Sequence, residues 1–206
     1  MVPAKTSRIK QSPKRPAEQR RRELLTAARR LFMKNGYRET SMDHIAAEAG
    51  LTKGALYFHF SSKEDVLFHL VQSFHQEVID EILALPRRAA SPVDVLRILL
   101  KNQHGHGDAP FDRFLDFWLQ ASKIPAVRKM LGGGITQEFH KVFAEVIDPN
   151  YVSSPRDRRD LGTMVLAAAE GMSVRKLMGD PEIDFARQVK MFAAFVEYRK
   201  TNNQRR

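Results

Sequence analysis

The sequence predicts an all-α fold of about nine helices, and three observations carry that prediction. From Pro16 onward, apolar residues recur at intervals of three and four, the spacing of one helix face. Three segments open with a capping residue followed by proline (Ser91-Pro92, Ser154-Pro155 and Asp180-Pro181), each with an acidic residue close behind (Asp94, Asp157, Glu182). That is the chemistry of a helix N-terminus, where a side-chain oxygen meets an orphan N–H and negative charge meets the positive end of the dipole. No stretch requires the two-residue alternation of a strand.

The first helix starts near Pro16, buries a stripe of Leu24, Leu25, Ala28, Leu31 and Phe32, and stops at Asn35-Gly36. Two short helices follow, around Met42 to Ala49 and Lys53 to His59. A long one begins at Ser62 and carries Val66, Leu67, Leu70, Val71, Phe74, Val78 and Ile82 on one face until Leu85-Pro86 ends it. After the Ser91-Pro92 start, Phe111 to Ser122 and Pro125 to Ile147 hold two more. Gly132-Gly133-Gly134 interrupts the second of these. Three glycines each cost about 1 kcal/mol relative to alanine in a helix interior, so a break is expected there, as a hinge, a mobile cavity entrance or a surface loop. The last two helices begin at Ser154-Pro155 and Asp180-Pro181, and no internal repeat is present.

The 206 residues are 43% hydrophobic and 28% charged, enough for a substantial core in one or two domains. The longest apolar runs, such as Met164 to Ala169, fall far short of the roughly 20 residues that span a bilayer. The basic N-terminus leads into no apolar signal segment, and cysteine is absent, so the chain reads as cytoplasmic, without membrane association and without disulfides. It reads as a non-enzyme with no cofactor, because it lacks a phosphate-cradling glycine loop, a metal-ligand motif and a nucleophile elbow. His104 and His106, with Asp108, form a glycine-flanked pair with no further ligand cluster, so no metal site is expected.

Charge divides the chain. Residues 1–60 hold 13 Lys/Arg against 5 Asp/Glu, and residues 61–206 hold 21 against 19, placing +8 of the net +10 in the first 60. A basic segment beside a nearly neutral body is the electrostatic footprint of a nucleic-acid-binding module joined to a body with another task, although basic tails are often only solvated surface. Residues 1–15 contain Lys5, Arg8, Lys10, Lys14 and Arg15 with almost nothing to bury, and read as a flexible basic arm that adds phosphate attraction or reaches a minor groove. Residues 16–61 then form one domain and residues 62–206 a second.

Residues 40–60, TSMDHIAAEAGLTKGALYFHF, have the pattern of a helix-turn-helix. Thr40 or Ser41 caps the first helix, Ile45, Ala46 and Ala49 give it an apolar face, and Gly50 suits the left-handed turn that ends it. Thr52 caps the second helix. Leu56 and Phe60 point to the core, leaving Lys53, Ala55, Tyr57 and His59 outward, a short helix of small and cationic residues suited to a major groove. Ser62 with Asp65 forms a capping box for the next helix, and Lys63 stays outside to meet a phosphate.

Leu31-Phe32, Gly36-Tyr37, Thr40-Ser41, Ile45-Ala46, Ala49-Gly50-Leu51, Lys53-Gly54, Leu56-Tyr57, His59-Phe60 and Ser62-Lys63-Glu64 together resemble the TetR family of bacterial transcriptional regulators, in its order and spacing, over roughly residues 18–67. The resemblance implies a homodimer that places two recognition helices on double-stranded DNA at a palindromic operator, most often as a repressor, under control of a small molecule held in the C-terminal body. It assigns DNA contact to Thr40, Ser41, Thr52, Lys53, Gly54, Ala55, Tyr57, His59 and Lys63. Within that set Thr40, Tyr57, His59 and Lys63 meet phosphates, while Thr52, Lys53, Gly54 and Ala55 lie nearest the bases. Packing within the domain is the alternative for Tyr57 and His59. A DNA-binding scaffold or activator whose body docks a protein partner is the alternative for the whole chain.

The body resembles the family in architecture alone. Phe111 to Ser122 carries aromatic and aliphatic residues almost all round, more than one core face needs. Phe114, Trp118, Met130, Phe139 and Met172 are therefore candidates to line a cavity for a small apolar effector, although a plain core would use the same side chains. The last two helices carry apolar stripes (Leu161, Met164, Val165, Ala168 and Met172; Phe185, Val189, Phe192 and Val196) and small residues at Gly162, Ala167, Ala169 and Gly171. They read as a four-helix homodimer interface, with intramolecular packing as the alternative.

Overall fold

The computed structural model describes residues 16–104, 111–152 and 154–203. The basic arm and the loop histidine His106 with Asp108 lie outside them. Among the described residues there is no β-strand, and the helices are α1 (Ala17–Asn35), α2 (Met42–Glu48), α3 (Lys53–His59), α4 (Lys63–Leu83), α5 (Pro92–His104), α6 (Phe111–Lys123), α7 (Pro125–Lys129), α8 (Ile135–Val146), α9 (Pro155–Leu177) and α10 (Phe185–Asn203). Because α7 and α8 are joined end to end, they count as one rod, and the described residues contain the nine rods that the periodicity predicts.

Two of the sequence expectations are corrected. The triple glycine does not break the helix: Met130–Gly134 forms a π turn, closed by Ile135 N–H donating to Met130 O, that carries α7 into α8. A π turn keeps every backbone group paired while inserting one extra residue, so the glycine penalty is met by widening the helix. The last helix begins at Phe185, four residues beyond the expected Pro181. Asp184 is its cap, with Oδ1 accepting from Ala186 N and Arg187 N. Asp180 instead holds a turn, accepting from Glu182 N and pairing with Arg175 at 2.8 Å.

Two hydrophobic clusters organise the molecule. The first joins α1, α2, α3 and the start of α4 through Leu24, Phe32, Ile45, Leu56 and Phe60, and also takes in Phe117, Ala121 and Val127 from α6 and α7. The second holds Ile79 and Ile82 from the end of α4 with α5, α8, α9 and α10. The core around the N-terminal helices thus extends past the 61/62 boundary drawn from sequence, and α4 belongs to both clusters. Loop residues 88–90 close the end of α8: Arg88 N donates to Glu145 O, and Ala89 N and Ala90 N donate to Val146 O, which satisfies carbonyls the helix leaves open.

Candidate nucleic-acid interface and body cavity

The two short helices are set by local chemistry. Ser41 caps α2, its side chain accepting from His44 N at 3.1 Å while Ser41 N donates to His44 Nδ1 at 3.4 Å. Gly50 N donates to Ala47 O and Leu51 N to Ala46 O, the paired bonds of a helix stop that needs a left-handed residue, and Gly50 supplies it at φ +65°. Thr52 caps α3, its Oγ1 accepting from Ala55 N at 3.2 Å. Leu56 and Phe60 then seat α3 against α1 and α2, each burial contributing about 1.5–3 kcal/mol.

What α3 leaves outward is a surface of Thr52, Lys53, Gly54, Tyr57 and Phe58, with Ala55 and His59 half-buried beside it. Gly54 has no internal reason to be glycine. Its φ is not in the left-handed region, and a Cβ there would meet only Thr52 Oγ1 at 4.0 Å. A helical glycine that costs stability without relieving any contact points to close approach from outside the fold. Lys53 pairs with Asp43 at 2.9 Å, a hydrogen bond that pushes the ammonium pKa up, and lies 5.9 Å from the Tyr57 ring. His59 is pushed down from the ordinary imidazole value, first by burial and then by Arg20 and Arg21 of α1.

Two sequence-assigned contacts are placed differently. Thr40 is 1% exposed, and its Oγ1 donates to Gly36 O at 2.9 Å, so it fastens the α1–α2 loop. Lys63 Nζ donates to Tyr37 O, Arg38 O and Thr40 O at 2.9, 3.3 and 3.0 Å and sits 4.4 Å from the Tyr37 ring. An ammonium has three donors, and here all three close the same loop. Phe58 was missed, although it is 79% exposed and stands opposite the buried pair Leu56 and Phe60. Its position in LYFHF, midway between two core residues four apart, was the available signal.

The body holds a half-open cavity of about 370 Å³ between α4, α5, α6, α8 and α9. Trp118 and Phe139 line it as expected, joined by Phe74 of α4. Met130 packs against the first cluster and Met172 against the second, and neither is a lining side chain. The side chain of Phe114 lies outside those described. Leu131, Ile135 and Thr136 bring the π turn and the start of α8 into the wall. The polar wall groups are fixed for the most part: His75 Nε2 lies 3.0 Å from Glu138 Oε2, Asn102 donates to Glu81 and to Ile98 O, and Thr136 donates to Leu131 O. Among the described residues no three His, Asp or Glu converge as metal ligands, and no helix is long and apolar enough to cross a membrane.

Helix α9 presents two different faces. Val165, Ala169 and Ser173 are buried in the body, and Gly162 belongs with them, since a Cβ there would approach Phe143 to 3.2 Å. The glycine thus lets α8 approach, which corrects its assignment to an intersubunit contact. Met164 of α9 and Met178 just past its end, with Met191, Phe195 and Tyr198 of α10, remain at least half exposed, the largest at 70%.

This arrangement is a helix-turn-helix domain set on a helical body. Residues 24–70 match the model of a family described as bacterial regulatory proteins, tetR family. The chain is similar to the HTH-type transcriptional regulator AcrR of Shigella flexneri, 40% identical over 86 residues, covering 42% of this chain and 39% of that protein. It is also similar to the HTH-type transcriptional activator FasR of Mycolicibacterium smegmatis, 44% identical over 57 residues, covering 28% and 26%. The matched segment thus spans well under half the length of either relative. Across the whole fold the chain resembles Salmonella enterica GusR, with a TM-score of 0.62 at 20% identity, covering 93% of this chain and 97% of that one.

Proposed function

We propose that the protein is a DNA-binding transcriptional regulator that acts as a homodimer on a palindromic operator and is released by a small effector with a largely apolar body. The outward face of α3 carries this reading: Gly54 is open to solvent with no packing reason to be glycine, flanked by Lys53, Tyr57 and the 79%-exposed Phe58. Close backbone approach at Gly54 brings α3 to the base edges, and the Ala55 methyl and Phe58 ring suit thymine methyl groups. Ser41 and Thr52 stand at the N-termini of α2 and α3, where orphan N–H groups meet phosphate oxygens, and Tyr57 and His59 flank them.

The exposed apolar side chains of α9 and α10 support the dimer, because a patch of that kind on a monomer marks an interaction site. A twofold dimer matches an operator palindrome. The cavity beside Trp118 supports the effector. Repression needs only that the bound dimer cover its site, so it is the reading with fewest parts, and activation is the second reading because FasR is named an activator.

Selection of bound fragments from a random DNA pool tests the proposal. An enriched palindrome, lost with Gly54→Leu at unchanged helicity and released by a mixed apolar metabolite extract, is the expected result. No palindrome, or a concentration-independent monomer mass by sedimentation, would overturn the dimeric reading. A palindrome that no extract releases would remove the effector.

A further inference from the structure

We infer that Asp43 sets the DNA selectivity of α3 by withholding Lys53 from phosphates, so that the ammonium goes only to base-edge acceptors at the operator. This rests on the proposed DNA-binding role of α3 and names the residue that decides what Lys53 meets. Three observations converge. Lys53 is the only lysine or arginine between Arg38 and Lys63, and Lys63 spends its donors on loop carbonyls, so Lys53 is the one such cation that α2 and α3 have to offer DNA. Its Nζ lies 2.9 Å from Asp43 Oδ1 and donates to Oδ2 at 3.0 Å, so both carboxylate oxygens hold one ammonium across the two helices. The other carboxylate between residues 40 and 62, Glu48, pairs instead with Arg30 of α1 at 2.6 Å, which leaves Asp43 as the acid set against the reading helix.

A free lysine meets a phosphate on any sequence, and each such contact strengthens binding without reading a base. A lysine with a carboxylate partner gains little from that exchange. The pair is neutral as a unit, and moving Nζ to a phosphate leaves Asp43 bare beside the negative backbone. A guanine edge changes the balance, because O6 and N7 are acceptors without a full charge, and Lys53 can donate there while Asp43 keeps a remaining hydrogen. Both side chains are well exposed, at 61% and 60%, so the pair adds little to the fold and its consequence is selectivity. An acid in the first turn of α2 also suits the helix dipole, but that role needs no partner on α3.

The test compares the full chain with Asp43→Asn on two duplexes of equal length, the palindrome enriched by the unaltered protein and a random sequence. The variant is expected to bind the random duplex about three- to tenfold more tightly, with the slope of log K against log salt steeper by about one. The palindrome gains less, so the ratio between the two affinities falls. In a Lys53→Met background Asp43→Asn should leave that ratio unchanged, because no ammonium is there to release. A ratio and a slope unmoved by Asp43→Asn, or the same fall in ratio without Lys53, would overturn the inference. Asp43→Ser, also uncharged and suited to a helix start, repeats the measurement if asparagine perturbs α2, with circular dichroism reporting the fold. Failure of the unaltered chain to enrich any palindrome would instead overturn the proposed function, and the random duplex alone would still decide whether Asp43 restrains Lys53.

Discussion

The two hydrophobic clusters share α4 and differ in what they enclose. The first closes tightly on Phe32, Ile45, Leu56 and Phe60, the residues that fix the angle of α3. The second, together with Val71, Phe74 and Trp118 at the far edge of the first, borders a hollow of about 370 Å³. A filled core determines one geometry, which a surface that must match a groove requires. A core with a cavity forgoes contact energy around its lining, and natural proteins retain such losses where a guest restores them. The contrast separates a part packed to hold one shape from a part that leaves room beside Trp118.

The sharpest way to break the contrast is to open a void in the filled cluster. Phe60→Ala, at a residue 1% exposed, is expected to cost about 3–5 kcal/mol in chemical denaturation and to abolish operator binding. A loss below 1 kcal/mol would show that the first cluster is no better filled than the second.

Lys63→Met should cost less, about 2 kcal/mol, through the three carbonyls it leaves open, while the salt dependence of DNA binding keeps its slope. Unchanged stability with a slope reduced by about one would return Lys63 to the phosphate role.

Substituting Gly132, Gly133 and Gly134 with alanine should raise stability by about 1–3 kcal/mol in thermal or chemical unfolding, since no atom lies within 4 Å of any added Cβ. If the π turn shapes the adjacent cavity wall, the same variant loses its effector response. An intact response would reduce the turn to a bystander.

Glu170→Gln, on α9 in the cavity wall, should give the smallest effect. A carboxyl whose pKa is raised in the folded chain weakens the fold as pH rises from its ordinary value through its folded value, so the substitution should add stability at neutral pH and none in acid. Equal denaturation midpoints for the two proteins at pH 7 would count against burial as the cause.

Local chemistry made the helix-turn-helix legible in sequence. Ser41, Gly50 and Thr52 act on groups within five residues of themselves, so their bonds follow from spacing alone. The bonds that Thr40 and Lys63 make to the loop from Gly36 to Thr40 were not legible, because a hydroxyl and an ammonium beside α3 look available until that loop is folded beneath them. The start of α10 was misplaced because Asp180-Pro181 and Asp184 offer the same capping chemistry four residues apart, and the Arg175 pairing that selects between them is a property of the folded turn.

The cavity was half legible. Trp118 and Phe139 were found by their excess over what one core face needs, whereas Met130 and Met172 have the right composition on the wrong side of their helices. Glu170 was overlooked, though it is the only charged residue between Asp160 and Arg175, in a stretch otherwise of small and apolar residues. Polarity isolated in an apolar run was the signal.

The sharing of α4 between the clusters also has a mechanical side. The helix is 21 residues long, so its ends lie about 30 Å apart, and its hydrogen-bonded ladder makes it stiff along that length. Phe74 and His75 line the cavity in its second half, while Val66 and Leu67 near its start are locked into the cluster that seats α3. A rod held in this way converts angle into displacement. A tilt of about 5° imposed at the far end carries the near end about 2–3 Å, which is comparable to the length of a hydrogen bond.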